Sequence, residues 1–506
     1  MAISNPGGNL NSVPASVQQT LASNYIDFTS QTTAGWAQQY LPDLMEKEAE
    51  VFGPRTISGF LSQVGAEEAM TSDQVVWSEQ GRLHLSYKGK VSTATSGLNS
   101  SSQILIQSDI DGADSNTSGI STGGTGTEHG IRPNDTIIVA DSTNGIVKAV
   151  VTKVDGDTID FSPYGTDTLS TTANLATTIL VYGSEFSKGT TYTNAAGTGA
   201  TDQRGANEPR FKSFTNKPII LKDYYEVSGS DASRIGWVEV SGEAGQSGYL
   251  WYLKAEADTR ARFTDYIEMS MLESELSAAD GSNTLLDANT TILSHTGSYG
   301  TEGLFAAIED RGNVTTGVTG VNAATDLAEF DAILAEFDSQ GAIEENMLFV
   351  NRATSLAFDD MLASMNSYGA GGTSYGVFEN DEDMALNLGF SGFRRGSYDF
   401  YKSDFRYLND KATRGSINDA NAANAIRGVI IPAGVSTVYD QTLGRNIKRP
   451  FLHVRYRASQ TDDRRMKTWT TGSVGAATSA LDAMQIHMLS ERCLITQGAN
   501  NFMLMK

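Results

Sequence analysis

A quarter of the way along the chain, between Gly130 and Gly165, apolar and polar positions alternate most sharply. Three β-rich runs, Asp135–Ala140, Ile146–Val154 and Thr158–Phe161, are separated by Asn144-Gly145 and Asp155-Gly156. Both dipeptides predict tight hairpins, because such turns need a positive φ that Asn, Asp and Gly tolerate. A further strand is predicted at Thr178–Tyr182 and a short one at Ile104–Gln107. Upstream, Val75-Val76-Trp77 and the alternation of Leu83, Leu85 and Tyr87 read as two strands around Glu79–Gly81. Gly/Ser/Thr/Asn-rich tracts flank the compact unit on both sides. An inserted domain needs permissive junctions and close termini, so residues 98–207 are expected to form a small all-β domain inserted in a loop.

Elsewhere the period lengthens. A helix is predicted over Ala34–Val51, with Trp36, Tyr40, Leu41, Leu44 and Met45 on one side and a kink at Pro42. Strand character returns at Arg210–Gly229. A long helix, roughly 40 Å, is predicted at Tyr249–Leu276. Its expected apolar face is Leu250, Leu253, Ala257, Ala261, Thr264, Ile267 and Met271, with Gly281 as its stop. Glu256/Arg260 and Asp258/Arg262 stand in the favourable acid-first i,i+4 order. Another helix, Asp326–Phe337, starts from Thr325 and should bury Leu327, Phe330, Ile333, Leu334 and Phe337. The stretch MLFVNRATSLAFDDMLASM reads as strand, turn and helix, and NSYGAGGTSYG as a loop. Strands are predicted at Ala425–Pro432 and Pro450–Arg457, a helix at Ala480–Leu489, and extended pieces around Leu494 and Met503. The fold class is α+β, with antiparallel strands and one dominant helix.

Composition narrows the function. The chain has 506 residues, 39% hydrophobic and 19% charged, an ordinary globular balance with room for more than one domain. Its formal net charge is −23, which argues against binding through phosphate neutralisation and against anionic membrane surfaces. The single cysteine, Cys493, excludes an internal disulfide and reads as a small buried hydrophobe within Cys493-Leu494-Ile495. The first residues lack the basic start and apolar stretch of a signal peptide, and no apolar run is long enough for a membrane helix.

Motifs that carry chemistry are scarce. The phosphate-loop pattern, the zinc-protease pattern and the nucleophile elbow are all missing from the sequence. The run DIDGADSN (Asp109, Asp111, Asp114, Asn116) has a calcium-loop composition with its glycine misplaced, and reads better as a solvated acidic loop. Five scattered histidines form no i,i+4 pair. Arg445, Lys448, Arg449, Arg455, Arg457, Arg464, Arg465 and Lys467 form the one basic cluster. In so acidic a chain, pairing with carboxylates of the same or a neighbouring subunit is the favoured reading, with a nucleic-acid groove as the alternative.

The order of elements then becomes specific. A polar N-terminal arm and a helix lead into a two-stranded excursion. That excursion returns as RFKSFTNKPIILKDYYEVSG and runs into the long helix at 249–276, and the chain ends in MLSERCLITQGANNFMLMK. This order resembles the major capsid proteins of tailed double-stranded DNA bacteriophages, the Hong Kong 97-type fold. The resemblance implies residues 1–55 as N-terminal arm and helix, 56–97 as the start of an extension loop and 208–230 as its return. It further implies 231–290 as a peripheral domain with a spine helix, 291–440 as an axial domain, and 441–506 as peripheral strands and C-terminal return. The inserted β-domain is the departure from the minimal pattern.

The same resemblance implies a self-assembling, non-enzymatic subunit of an icosahedral head, located in the virion and made in the host bacterial cytoplasm. Its partners would be further copies in hexamers and pentamers, portal and scaffolding proteins, and a candidate accessory protein on the inserted domain. It would enclose double-stranded DNA without reading its sequence, and would use no cofactor, no metal and no membrane. Candidate assembly-interface side chains are Trp77, Tyr87, Tyr224, Arg260, Arg262, Arg449, Arg455 and Arg457. Lys88, Lys90 and Lys188 are possible donors for covalent crosslinks, although solvated surface lysines are the simpler account. A β-rich surface-layer or adhesin protein, and a hydrolase with a β-sandwich appendage, remain the alternatives from other classes.

Overall fold

The computed structural model describes residues 66–80, 84–93, 102–110, 129–143, 145–165, 169, 175–189, 211–230, 250–276, 300–341, 343–367, 392–420, 424–433, 435–440, 445–474 and 477–506. For residues 66, 80, 93, 211–212, 250–255, 363–367, 435–440 and 445–450 the description is of the backbone alone. The helix expected at Ala34–Val51, the acidic run after Asp109, the stop at Gly281 and most of the NSYGAGGTSYG loop lie outside these residues.

In chain order the strands are β1 (Ala66–Met70), β2 (Val75–Gln80), β3 (Ser86–Thr93), β4 (Ser102–Asp109), β5 (Asp135–Asp141), β6 (Gly145–Asp155), β7 (Thr158–Pro163), β8 (Ala176–Ser184), β9 (Phe211–Asn216) and β10 (Ile219–Ser228). Helices α1 (Leu250–Glu273) and α2 (Leu304–Arg311) follow, then β11 (Asn313–Thr315), α3 (Ala323–Gln340), β12 (Glu345–Val350) and α4 (Arg352–Ser367). The remainder is β13 (Gly392–Arg395), β14 (Tyr398–Asp404), α5 (Arg406–Asn409), α6 (Arg414–Ala420), β15 (Gly428–Pro432), β16 (Val435–Asp440), β17 (Arg445–Pro450), β18 (Leu452–Arg457), β19 (Lys467–Gly472), β20 (Ala483–Thr496) and β21 (Met503–Met505). The chain divides into two compact units, one spanning Ser78–Ser213 and one holding the described residues up to Trp77 and from Phe214 onward.

The first of these units is a closed antiparallel barrel in the order β3-β4-β7-β6-β5-β8. Closure follows from strict alternation. Ile137 and Val139, Val147, Ala149 and Val151, and Ile159 and Phe161 point inward on successive strands and are buried. The two hairpin turns place Gly145 at φ 84° and Gly156 at φ 60°, the left-handed geometry that the Asn-Gly and Asp-Gly pairs foretell. His129, also buried, accepts the Ile131 N–H at Nδ1 (3.3 Å), so its Nε2–H is the donor to the Gly156 carbonyl (2.9 Å). The unit is wider than the expected 98–207, because β3 is needed to close the barrel between β4 and β8. β2 and β3 are both strands, yet they do not pair with each other. β2 joins β9 in a two-stranded ribbon.

The second unit is built on two sheets. The six-stranded sheet runs β11-β21-β15-β12-β14-β13 and has a core on each face. One core holds Phe330, Ile333 and Phe337 of α3 with Phe358, Met361 and Leu362 of α4, against Phe393 and Phe400 of the sheet. The other holds Phe349, Val429, Ile431 and Leu504 with Met271 and Leu272 of α1, Leu304 and Ile308 of α2, and Leu452 and Leu494. α3 starts one turn earlier than expected, because Asn322 rather than Thr325 caps it by accepting the Thr325 N–H at 2.9 Å. Leu327 and Leu334 are only partly buried against their core.

The five-stranded sheet runs β1-β18-β20-β10, with β19 also paired to β20. Pro218, which has no N–H to donate, separates β9 from β10. Here the sequence reading fails at Ala480–Leu489: the predicted helix is the first half of the 14-residue strand β20. Ala, Leu, Met and Gln favour a helix by only tenths of a kcal/mol per residue. β20 gains backbone pairing on both edges, with β10 on one side and β18 and β19 on the other.

α1 lies on one face of this sheet, where Phe263 and Ile267 meet Ile486 and Met488. Its buried positions are Thr259, Phe263, Ile267, Glu268, Met271 and Leu272. Of the predicted face, Ile267 and Met271 are buried, Ala261 and Thr264 are half-buried and Ala257 is exposed, while the side chains of Leu250 and Leu253 lie outside the described residues. Phe263, the bulkiest apolar group of that part of the helix, is buried although the predicted face omitted it.

Candidate functional site

The predicted interface side chains do not gather at one place. Trp77 is buried with Met70, Cys493 and Ile495, and Phe214 packs against that group. Tyr87 is buried in the barrel, where its hydroxyl accepts the Gly130 N–H at 2.7 Å. Arg260 is exposed on α1, and Arg262 reaches Asp223 of β10 at 3.5 Å. Arg449 lies on β17, opposite Ser436 of β16. Tyr224, Arg455 and Arg457 belong to the five-stranded sheet.

Within the basic cluster, the described side chains Arg455, Arg457, Arg464, Arg465 and Lys467 are paired within the chain, Lys467 with Asp462 at 2.7 Å. Arg455 contacts Glu68 at 2.8 Å, Arg457 contacts Asp73 and, at 3.5 Å, Glu491, and Arg464 contacts Glu491 at 2.7 Å. Glu67 holds Arg465 and, at 3.1 Å, Arg492. Arg492 also donates to the Arg465 carbonyl (2.9 Å) and to Ser490 Oγ (2.8 Å). Burial lowers the Arg492 pKa from its ordinary value, and the nearby Glu67 opposes that shift. Glu67, Glu68 and Asp73 come from β1 and the turn after it, about 380 to 430 residues away in sequence, so no local pattern could have revealed their pairing, while Glu491 comes from β20. Glu67 and Glu68 are neighbours on a strand and therefore serve opposite faces of the sheet.

Two further constellations were not foreseen. Asn216, with no exposed surface, makes five hydrogen bonds. Its Nδ2 donates to the carbonyls of Leu494 (2.6 Å) and Glu302 (3.0 Å). Its Oδ1 accepts from the N–H groups of Lys217 (2.8 Å) and Glu302 (2.9 Å) and from Thr301 Oγ1 (3.2 Å). One side chain thus ties the end of β9, the segment before α2 and the middle of the sheet. Beside it, Arg311 pairs with Glu302 at 2.5 Å and lies over the rings of Phe214 (4.6 Å) and Trp77 (5.5 Å). The other constellation is a row of rings across three strands. Tyr224, His487 and Trp469 stand opposite one another, with centroids 5.9 Å and 5.2 Å apart.

Chemically these groups bind and brace. Burial pushes the Cys493 thiol up to about 12, which makes it a packed hydrophobe rather than a nucleophile. Among the described residues no group of three His, Cys, Asp or Glu side chains could hold a metal ion, and no helix is long and apolar enough to cross a membrane.

No family model matches the chain, and no curated protein sequence matches it. Solved structures do. A structure from Microbacterium phage Oxtober96 aligns over 92% of this chain and 95% of its own, at 9% identity and a TM-score of 0.35. The capsid structure of the cyanophage P-SCSP1u aligns over 64% of this chain and 80% of its own, at 10% identity and 0.31. A structure from Mycobacterium phage Che8 aligns over 60% and 77%, at 11% identity and 0.31.

Proposed function

We propose that the chain is the major capsid protein of a tailed bacteriophage, the self-assembling subunit of the icosahedral shell around its double-stranded DNA. The observation that carries this reading is the order and packing of elements in the larger unit. A two-stranded ribbon, β2 with β9, frames the inserted barrel. β10 then leads to a 24-residue helix laid along the sheet whose central strand is β20, close to the end of the given sequence. We read the α/β layer of β11–β15 and β21 with α3 and α4 as the axial domain.

A shell subunit needs a stiff spine and large contacts with its own kind, and its work requires no catalytic centre. In this role copies would associate as hexamers and pentamers, with portal and scaffolding proteins as assembly partners and the virion as location. An accessory protein on the barrel is a candidate further partner. Sedimentation velocity with negative-stain microscopy of the purified protein tests the proposal. Capsomers or closed shells are the expected result. A strictly monomeric species across protein concentration, salt and crowding conditions overturns it.

A further inference from the structure

The outer wall of the barrel carries two rings that the fold itself sets in place. β8 holds a bulge: Gly183 pairs with Thr136 and Val181 with Ile137, which leaves Tyr182 as the extra residue, turned outward and 51% exposed. Tyr164 follows β7, where its N–H donates to the Lys148 carbonyl of β6 at 3.0 Å. Its hydroxyl donates to Glu185, which follows β8 and whose own N–H donates to the Asn134 carbonyl, just before β5, at 2.9 Å. In the barrel order β7-β6-β5-β8, the Tyr164 side chain therefore crosses the outside of β6 and β5 to make that bond. Thr136 records the crossing. It pairs with Val150 and precedes inward-facing Ile137, so alternation turns it outward, yet it is only 6% exposed. The Tyr164 ring itself stays 50% exposed, as expected of a ring pinned at both ends with one side on the wall. Burial and the Glu185 carboxylate push its hydroxyl up to about 12, and neighbouring Tyr182 adds to the shift, so the hydroxyl remains a donor at neutral pH.

We propose that Tyr164 and Tyr182 form a platform that binds a neutral carbohydrate, one or two pyranose rings of a glycan chain. A pyranose presents a flat side of C–H groups, which packs on the negative face of an aromatic ring, and a rim of hydroxyls. Beside the two rings stand the exposed Glu185, whose carboxylate accepts from hydroxyls, and the exposed Lys148, whose ammonium donates to them. Size and charge select this occupant. Tyr164, Tyr182 and their exposed neighbour Leu180 together present roughly 200–300 Å², against about 800 Å² per partner in a standard protein interface. One cation and one anion side by side, on a chain of net charge −23, offer no field that would hold a polyanion. A ring already fixed in place loses little freedom on binding. The inference stands apart from the shell reading, because the barrel is a compact unit of its own. In a shell, many weak sites on one particle would act together by avidity.

The test uses full-length protein, with saturation-transfer difference NMR and isothermal titration against hexamers of glucose, mannose, galactose and N-acetylglucosamine, and heparin as the anionic control. Weak, saturable binding of at least one neutral hexamer is expected. Tyr164→Ala and Tyr182→Ala should each lower its affinity about tenfold, the scale of one lost stacking contact. Tyr164→Phe keeps the ring and gives up the Glu185 bond, so it should retain more affinity than Tyr164→Ala. Circular dichroism melts show whether each variant keeps the parent fold; if Tyr164→Ala loosens the barrel, the exposed Tyr182→Ala decides. No binding of any of the four hexamers, binding unchanged in Tyr182→Ala, or preferential binding of heparin overturns the inference.

Discussion

Replacing Asn216 should loosen the larger unit and leave the barrel intact. Its amide makes five hydrogen bonds in a site closed to solvent. At a net ~0.5–1.5 kcal/mol each, Asn216→Ala is expected to cost about 4 kcal/mol, with a discount for water entering the vacated space. Asn216→Asp keeps the shape but turns the two donor contacts, 2.6 and 3.0 Å from carbonyl oxygens, into repulsions. That new carboxyl would have a folded-state pKa raised above the ordinary ~3.9 by burial and by the facing carbonyls. The sign follows: a raised folded pKa means the variant is least impaired below about pH 4 and loses stability as pH rises through the folded value. All five tryptophans, Trp36, Trp77, Trp237, Trp251 and Trp469, lie outside Ser78–Ser213, so denaturant titration followed by tryptophan fluorescence reports the larger unit alone. The reasoning is refuted if Asn216→Ala unfolds within ~1 kcal/mol of the parent. It is equally refuted if the Asp variant tracks the parent at every pH.

Residues 78–213 produced alone should fold, with a cooperative thermal transition by circular dichroism, and Phe161→Ala should lower the stability of that fragment by ~3–5 kcal/mol. An unfolded fragment would mean the barrel depends on the rest of the chain. Cys493, pushed up to about 12, should resist a thiol reagent at pH 8 until denaturant is added. Because its folded pKa and that of Tyr398, also pushed up to about 12, exceed their unfolded values, their stabilisation is intact below about pH 8.5 and is lost as pH rises toward 12. Fluorescence melts should show this loss, and Tyr398→Phe should blunt it. Glu67→Gln should cost ~2 kcal/mol by stranding Arg492, and adding Arg492→Met should recover part of that in a double-mutant cycle.

The barrel was the most legible part of the sequence because its information is local. Alternation sets each strand's inward face, and two dipeptides set the turns at Gly145 and Gly156. What sequence missed was non-local. β3 stood outside the expected insertion because only its pairing with β8, nearly a hundred residues on, shows that it closes the barrel. The same holds for Ala480–Leu489, where weak helical preference competes with pairing to β10 and β19 that the sequence does not announce. On α1 Ile267 and Met271 are buried as expected, and the residue missed was Phe263, whose burial comes from Ile486 and Met488 across the interface. Of the candidate interface residues, Trp77 and Tyr87 turned out to be internal packing groups, which aromatic character alone does not distinguish from surface anchors.

Charge places a constraint on how copies of this chain can meet. Among the described residues, Arg455, Arg457, Arg464 and Arg465 of the basic cluster are matched internally by Glu67, Glu68, Asp73 and Glu491, so these four add little positive potential to the surface. The chain still carries 60 acidic against 37 basic side chains, and copies must repel as they approach. At physiological salt that repulsion is screened beyond ~8 Å, so it matters only where surfaces nearly touch. On the proposed shell reading, contacts between copies would then gain from apolar area and ring stacking more than from charge. The arginines hold β1 and the turn after it onto the sheet, tying it to β18 and β20.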